Sequence, residues 1–275
     1  RAETATRFIP ARVTDNQFNN PEYEQNLRGL TGWQKRAWLD GDWDIAAGQY
    51  FPNFRRDIHV LDDFDDTRCR EWFAALDYGF THYTVVLLGA KDSDGNIFVV
   101  DEHADRLCLP ERHAAAIRAM FIRHGLGNDP AVSPTPFRSI NQQPVPDDVP
   151  RLCRFVAGTD VFSRQSDGST VASQYAAFGL HLRPANTDRI QGWAEILRRL
   201  GDPDRGIRPK LFIHRRCARL IDTLPILQHD PTRPEDVLKI DADDNGHGGD
   251  DAADCLRYLV HTQLPTVVMR KLRGF

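Results

Sequence analysis

The chain has 275 residues, 41% of them hydrophobic and 27% charged, and a net charge of -4. No apolar run reaches the roughly 18 residues of a membrane-spanning helix, and no signal-peptide pattern appears, which points to a globular chain of one large domain, or one domain with an appendage. The negative balance argues against bulk attraction to nucleic acid, yet allows a local basic groove beside an acidic site. The cysteines (Cys69, Cys108, Cys153, Cys217, Cys255) are odd in number and form no CxxC pair. They predict reduced core thiols in a cytosolic setting, not a zinc site or a disulfide frame. The chain opens on Arg1, so we expect it to be part of something longer.

Residues 1–70 differ in pattern from the rest of the chain. An extended start leads into a helix near Asn20-Pro21, the proline suiting a first helical turn. Leu27, Leu30, Trp33 and Trp38 are apolar anchors, and the acids of Asp62–Asp66 precede the first strand. We read residues 1–70 as a linker or docking segment and residues 71–275 as the folded domain. Its first strand is the apolar run Phe73–Leu76, which ends at Asp77, and a second spans Tyr83–Ala90. Asp94-Gly95 predicts a hairpin into a third strand at Ile97–Glu102. Pro110 starts a helix with apolar residues at Ala114, Ile117, Phe121 and Ile122, ended by Gly125. Residues 126–151 are proline-rich and aperiodic, a loop long enough to suggest a functional role such as gating. Beyond it come a strand in CRFVAGTDVFSRQ with Asp160 after its end, a helix in SQYAAFGL, and a short strand in HLRPAN. Next are a helix in TDRIQGWAEILRRLG, a strand in KLFIH and a helix interrupted by Pro225. A glycine-rich acidic loop then leads into the last helix, DDAADCLRYLV. The order predicts an α/β mixed sheet, its first three strands antiparallel and its later strands parallel, flanked by helices.

Asp77 is one acid in an apolar run, where an unpaired charge costs several kcal/mol. It either caps a turn or is compensated, a metal being one candidate. Asp160 follows a later strand, and Asp250 and Asp251 open the last helix with Asp254 one turn on. Acids at element boundaries, meeting at the carboxyl ends of strands, suit two-metal phosphoryl transfer. Oxygen-only ligands select two Mg²⁺ or Mn²⁺ ions. Helix capping alone would account for one of the two adjacent acids, and spacing does not choose between them. His247 reads as a loop histidine, with a proton shuttle as the alternative. Arg183, Arg189, Arg198, Arg199, Lys210, Arg215 and Arg216 belong to a local basic excess that is either a DNA-backbone track or an ordinary solvated face.

The segments FIPARVTDNQFNNPEYEQNLRGL, WLDGDWDI with GQYFPNF, ALDYGF, GTDVFSRQ, LRPANTDRIQGW and GGDDAADCLRYLV occur in one order along the chain. In that order they resemble the C-terminal part of the large terminase subunit of tailed bacteriophages. The resemblance implies an RNase H-like nuclease domain, an endonuclease that cuts concatemeric double-stranded DNA in the host cytoplasm during packaging. It implies Asp77 as the metal-bridging acid, Asp160 as the second ligand and Asp251 as the third, with Asp250 kept beside it. It also implies the portal protein and the small terminase subunit as partners. Cys255 stands where such segments more often carry alanine. Family members have an N-terminal ATPase; no GxxxxGK[ST] phosphate loop occurs here, so ATP hydrolysis is not expected of this stretch. Two other readings stay open: a resolvase- or transposase-type nuclease of the same fold, and a non-catalytic module docking a motor to a portal.

Overall fold

The computed structural model describes Val13, Phe18 and residues 48–126 and 151–262. The helix expected near Pro21 and the loop within 127–150 lie outside these residues. In chain order the elements are α1 (Arg56–His59), β1 (Val60–Leu61), β2 (Cys69–Asp77), β3 (Thr84–Asp92), β4 (Ile97–Asp105), α2 (Pro110–Arg123), β5 (Arg151–Ala157), α3 (Val171–Ala177), β6 (Arg183–Pro184), α4 (Arg189–Leu200), β7 (Leu211–His214), α5 (Ala218–Thr223) and α6 (Asp251–His261). The strands form a seven-stranded sheet in the order β1-β7-β4-β3-β2-β5-β6. The β2-β3-β4 meander is antiparallel; β5 and β6 extend it on one side and β7 and β1 on the other, all in parallel pairs. This is the mixed sheet the sequence predicts.

β2 is apolar on both faces because both are covered. Trp72, Ala74 and Leu76 join the core under α2 and α3, while Phe73 and Ala75 join the core under α4, α5 and α6. Strand side chains alternate, so Asp77 at the end of β2 continues the row of Phe73 and Ala75 on the α6 side. The hairpin between β3 and β4 turns at Gly95, which adopts φ +78°, a conformation open to glycine without steric cost. In α2 the buried positions are Pro110, His113, Ala114, Ile117, Met120 and Phe121, whereas Ile122, expected on that face, is 60% exposed. The helix expected around Pro225 ends at Thr223, and one tight turn over Leu224–Ile226 comes after it, since proline lacks the N–H an α-helix needs.

The docking segment expected to run to residue 70 gives up its last part to the fold. Tyr50, Phe51 and Phe54 are buried in the core beneath α4, and Phe51 meets Trp193 edge-on with centroids 6.0 Å apart. β1 pairs with β7, so the sheet itself begins before residue 71. The aromatics of GQYFPNF cover apolar area that α4 would otherwise leave in water. The acids of Asp62–Asp66 stay a solvated loop, in which Asp65 accepts a 3.1 Å bond from the Thr67 amide. Cys69, Cys108, Cys217 and Cys255 are free and buried, as expected of core thiols. Among the described residues no helix is long and apolar enough to cross a membrane.

Candidate active site

Three separate segments bring carboxylates to one end of the sheet. Asp77 closes β2. Asp160 lies in the short turn Thr159–Phe162 after β5, the parallel neighbour of β2, and the Gly158 amide bonds to the Leu76 carbonyl at 3.3 Å. Gly158 leaves room for this turn: a Cβ there would stand 2.6 Å from Asp160 Oδ1. Asp250 and Asp251 arrive at the start of α6, which packs on β2 and β3. Cys255 lies on that contact, its Sγ 3.2 Å from the Ala75 carbonyl oxygen and 3.4 Å from that of Val85. A small apolar side chain there lets the helix sit close to the sheet.

The electrostatics centre on Asp77. Burial first, then the charges of Asp254, Asp251, Asp160 and Asp250, push its carboxyl well above the usual carboxylate range. Asp250 occupies the cap position of α6, but its side chain makes no capping bond. Its Oδ2 is buried without a hydrogen-bond partner, and burial together with Asp254 and Asp251 pushes its carboxyl up to about 6. Helix capping therefore does not account for Asp250. Asp251 is raised by burial and drawn back by Arg219, whose Nη2 is 3.5 Å from its Oδ2, and by His82. Asp254 is engaged elsewhere: Arg257 holds it at 2.9 Å and Arg189 at 3.2 Å.

The loop before α6 is fastened from two sides. Arg219 donates to the Gly246 and Gly248 carbonyls at 2.9 and 2.7 Å, and Arg106 donates to those of Asp243 and Asp244 at 3.2 and 2.7 Å. Tyr83 lies between them, with the Arg219 guanidinium 3.5 Å from its ring centre. Gly246, Gly248 and Gly249 all take positive φ, so the glycine-rich stretch is what lets the loop deliver Asp250 and Asp251. Neither Arg219 nor His82 stands out in the sequence. Arg219 is one arginine in a basic run, and His82 is placed only by the turn after Asp77. His247 is 81% exposed and bonds within its own loop to Asp243, in keeping with a loop histidine.

The basic set does not form one track. Arg189 is drawn inward between Asp236, at 3.0 Å, and Asp254. Arg198 and Arg199 share Glu195, and Arg199 also donates to the Gly95 carbonyl, at the sheet end opposite the acids. Lys210 adjoins the amino ends of β4 and β7 at that same opposite end. Arg215 and Arg216 line a cleft with Asp62, Asp63 and His214. Arg183, exposed on β6 beside Val156, stands toward the acid end with its side chain in solvent. Ion pairing and strand direction, neither visible in the spacing, thus divide a run that is continuous in sequence.

Among the described residues no three acidic, histidine or cysteine side chains are already closed into a coordination sphere. The acids share a field around Asp77 instead. In donor type and charge they still fit a hard divalent cation: all are oxygen donors, and one buried oxygen lacks any partner. The field itself makes a prediction. An aspartate ordinarily ionises near 3.8 and Asp250 near 6. Between those values the folded chain holds a proton that the unfolded chain has released, so stability falls as pH rises through about 6. Asp250→Asn should therefore stabilise the metal-free chain by about 2–3 kcal/mol at pH 8 and by nearly nothing at pH 4. Urea unfolding at both pH values measures this, and an equal gain at each would contradict it.

No protein-family model and no curated protein matches the sequence. Solved structures do. The large terminase of a thermophilic bacteriophage superposes with a TM-score of 0.54 at 13% identity, over 92% of this chain and 54% of that one. Its complex with ATP-gamma-S gives 0.53 at 14% identity, over 92% and 55%. The P22 large terminase nuclease domain gives 0.54 at 13% identity, over 78% of this chain and 91% of that one. The chain has the fold of a large-terminase nuclease domain. It spans about half the length of the thermophilic phage's protein and coincides with nearly all of the P22 domain.

Proposed function

We propose that this chain is the metal-dependent endonuclease part of a tailed-phage large terminase, cutting concatemeric double-stranded DNA in the host cytoplasm by a two-metal mechanism. The observation that carries this is the gathering of Asp77, Asp160, Asp250 and Asp251 at the carboxyl end of β2 and β5, where the charges of Asp254 and of the other three act on a half-buried Asp77. Asp77, between Asp160 on one side and Asp251 on the other, would be the shared ligand of two Mg²⁺ or Mn²⁺ ions, with Asp250 supporting Asp251. Bound divalent ions supply an activated water and charge neutralisation at the leaving oxygen. The protein's own residues hold the carboxylates in register: Arg219 and Arg106 fix the loop, and Arg189 and Arg257 fix α6 through Asp254. Arg183, exposed on β6, would meet a phosphate backbone on the β5–β6 side. The partners are double-stranded DNA and, as in a packaging motor, a portal protein and a small terminase subunit. ATP hydrolysis is not assigned to these residues.

The test is cleavage of supercoiled plasmid in Mg²⁺ or Mn²⁺. Nicked and linear products that vanish with EDTA are expected. No cutting by the clean chain in either metal would overturn the reading in favour of a docking module. A strong preference for branched over linear duplexes would instead favour a resolvase.

A further inference from the structure

Beside the acids lies an apolar feature that folding does not explain. After Asp77 the chain turns through Tyr78–Tyr83 into β3, and after Asp105 it turns through Arg106–Leu109 into α2. A 2.7 Å bond from the Leu107 amide to the Phe80 carbonyl joins the two turns. Phe80 is 48% exposed, Leu107 64% and Leu109 65%, so three of the large exposed hydrophobics gather on this edge. Leu107 has φ +57°, and among the described residues it is the one non-glycine with positive φ. A branched aliphatic side chain is strained there, and a glycine would serve the turn better. Leu107 buries little in return. Its identity thus adds strain to the backbone and contributes almost nothing to the core, which points to use outside the fold.

The position of the pair suggests that use. Asp77 is paired with Val85, and Thr84 next to it is paired with Asp105. The end of β4, from which the Leu107 turn leaves, therefore lies about two strand spacings, roughly 10 Å, from Asp77. At that distance a duplex with a phosphate at the acids would come within reach of these turns. Arg183 answers part of the charge of its backbone, and a contact that does not depend on charge would add to that binding. Apolar side chains entering a base step from the minor groove are such a contact, and they kink the duplex. Arg112, 75% exposed at the start of α2, lies beside the pair and 3.5 Å from Asp105, while Arg106 is held by the Asp243 and Asp244 carbonyls.

We infer that Phe80 and Leu107 form an apolar wedge that enters a base step of double-stranded DNA next to the scissile phosphate. The inference rests on the nuclease reading and adds to it the way the substrate is held and deformed. Leu107→Gly makes a clean test, because it relieves the positive φ and its melting temperature should be no lower than wild type. Phe80→Ala accompanies it. The substrates are short linear duplexes carrying 2-aminopurine at successive positions, and the same duplexes with one mismatch at the responsive step.

With the full chain, a rise in 2-aminopurine fluorescence is expected at one step, and both variants should lose it. The variants should raise the half-saturating DNA concentration about tenfold or more, the scale of a lost base-stacking contact. A mismatch, already unstacked, should restore the variants far more than it helps wild type, which a merely structural defect would not do. Variants that cut and fluoresce like wild type overturn the wedge while leaving the nuclease in place, and assign the patch to a protein partner. So does a wild type that cuts with no fluorescence change at any position. A wild type that neither cuts nor perturbs the duplex overturns both readings.

Discussion

Asp77→Asn is expected to reduce metal-dependent plasmid cleavage by about a thousandfold or more, the scale of removing one member of a catalytic group, while raising the melting temperature of the metal-free chain. The two effects have one cause. Asp77 sits where burial and four neighbouring acids oppose its charge. Because its folded-state pKa is raised, the carboxylate costs stability as pH rises above the ordinary aspartate range, and that cost is present at pH 8. Asparagine keeps the shape and removes the charge, so the fold gains and the site loses its shared ligand. Cleavage and thermal melting of the same preparation measure both. A variant that loses activity because it unfolds would melt lower than wild type, contrary to this expectation.

Arg257→Ala is expected to be the most destabilising of the simple substitutions, by about 3–5 kcal/mol. Arg257 is 2% exposed and holds Asp254 at 2.9 Å, donates to the Thr187 carbonyl at 2.9 Å, and stacks near Trp193 and Tyr258 with ring-centre distances of 5.1 and 4.6 Å. Gly192 of α4 has no side chain because the Arg257 stem fills that place. Truncation leaves a cavity between α4 and α6 and a buried Asp254 with Arg189 alone. At about 2–4 °C per kcal/mol for a chain of this size, the melting temperature should fall by roughly 10 °C. Arg198→Ala is the contrast. Its side chain is 58% exposed and shares Glu195 with Arg199, so its loss should stay within about 1 kcal/mol. Equal losses for the two arginines would contradict the assignment of the buried network.

Much of the sheet is legible in the sequence because its signals are local. The apolar run ending at Asp77, the Asp94-Gly95 turn and Pro110 at a helix start each act within a few residues. The boundary at residue 70 is not legible, since GQYFPNF reads as a polar-flanked loop until α4 is there to receive Tyr50, Phe51 and Phe54. The acids are legible as types at element ends, yet their relation depends on β5 pairing with β2 and on α6 crossing them. The basic run misleads for the same reason. Spacing shows Arg189 and Arg199 as neighbours of other arginines, whereas the fold turns them toward Asp236, Asp254 and Glu195. Charge in sequence says little about exposure when a partner from another element can bury it. Asp250 is the opposite case: its capping position is visible, and only its unpartnered buried oxygen separates it from a cap.

The most direct measurement of the central claim is anomalous diffraction from crystals of this chain soaked in Mn²⁺. One or two Mn²⁺ peaks are expected against Asp77, with Asp160 and Asp251 as further ligands. Strong Mn²⁺ peaks elsewhere and none at Asp77, in crystals whose acid edge is open to solvent, would contradict the two-metal site.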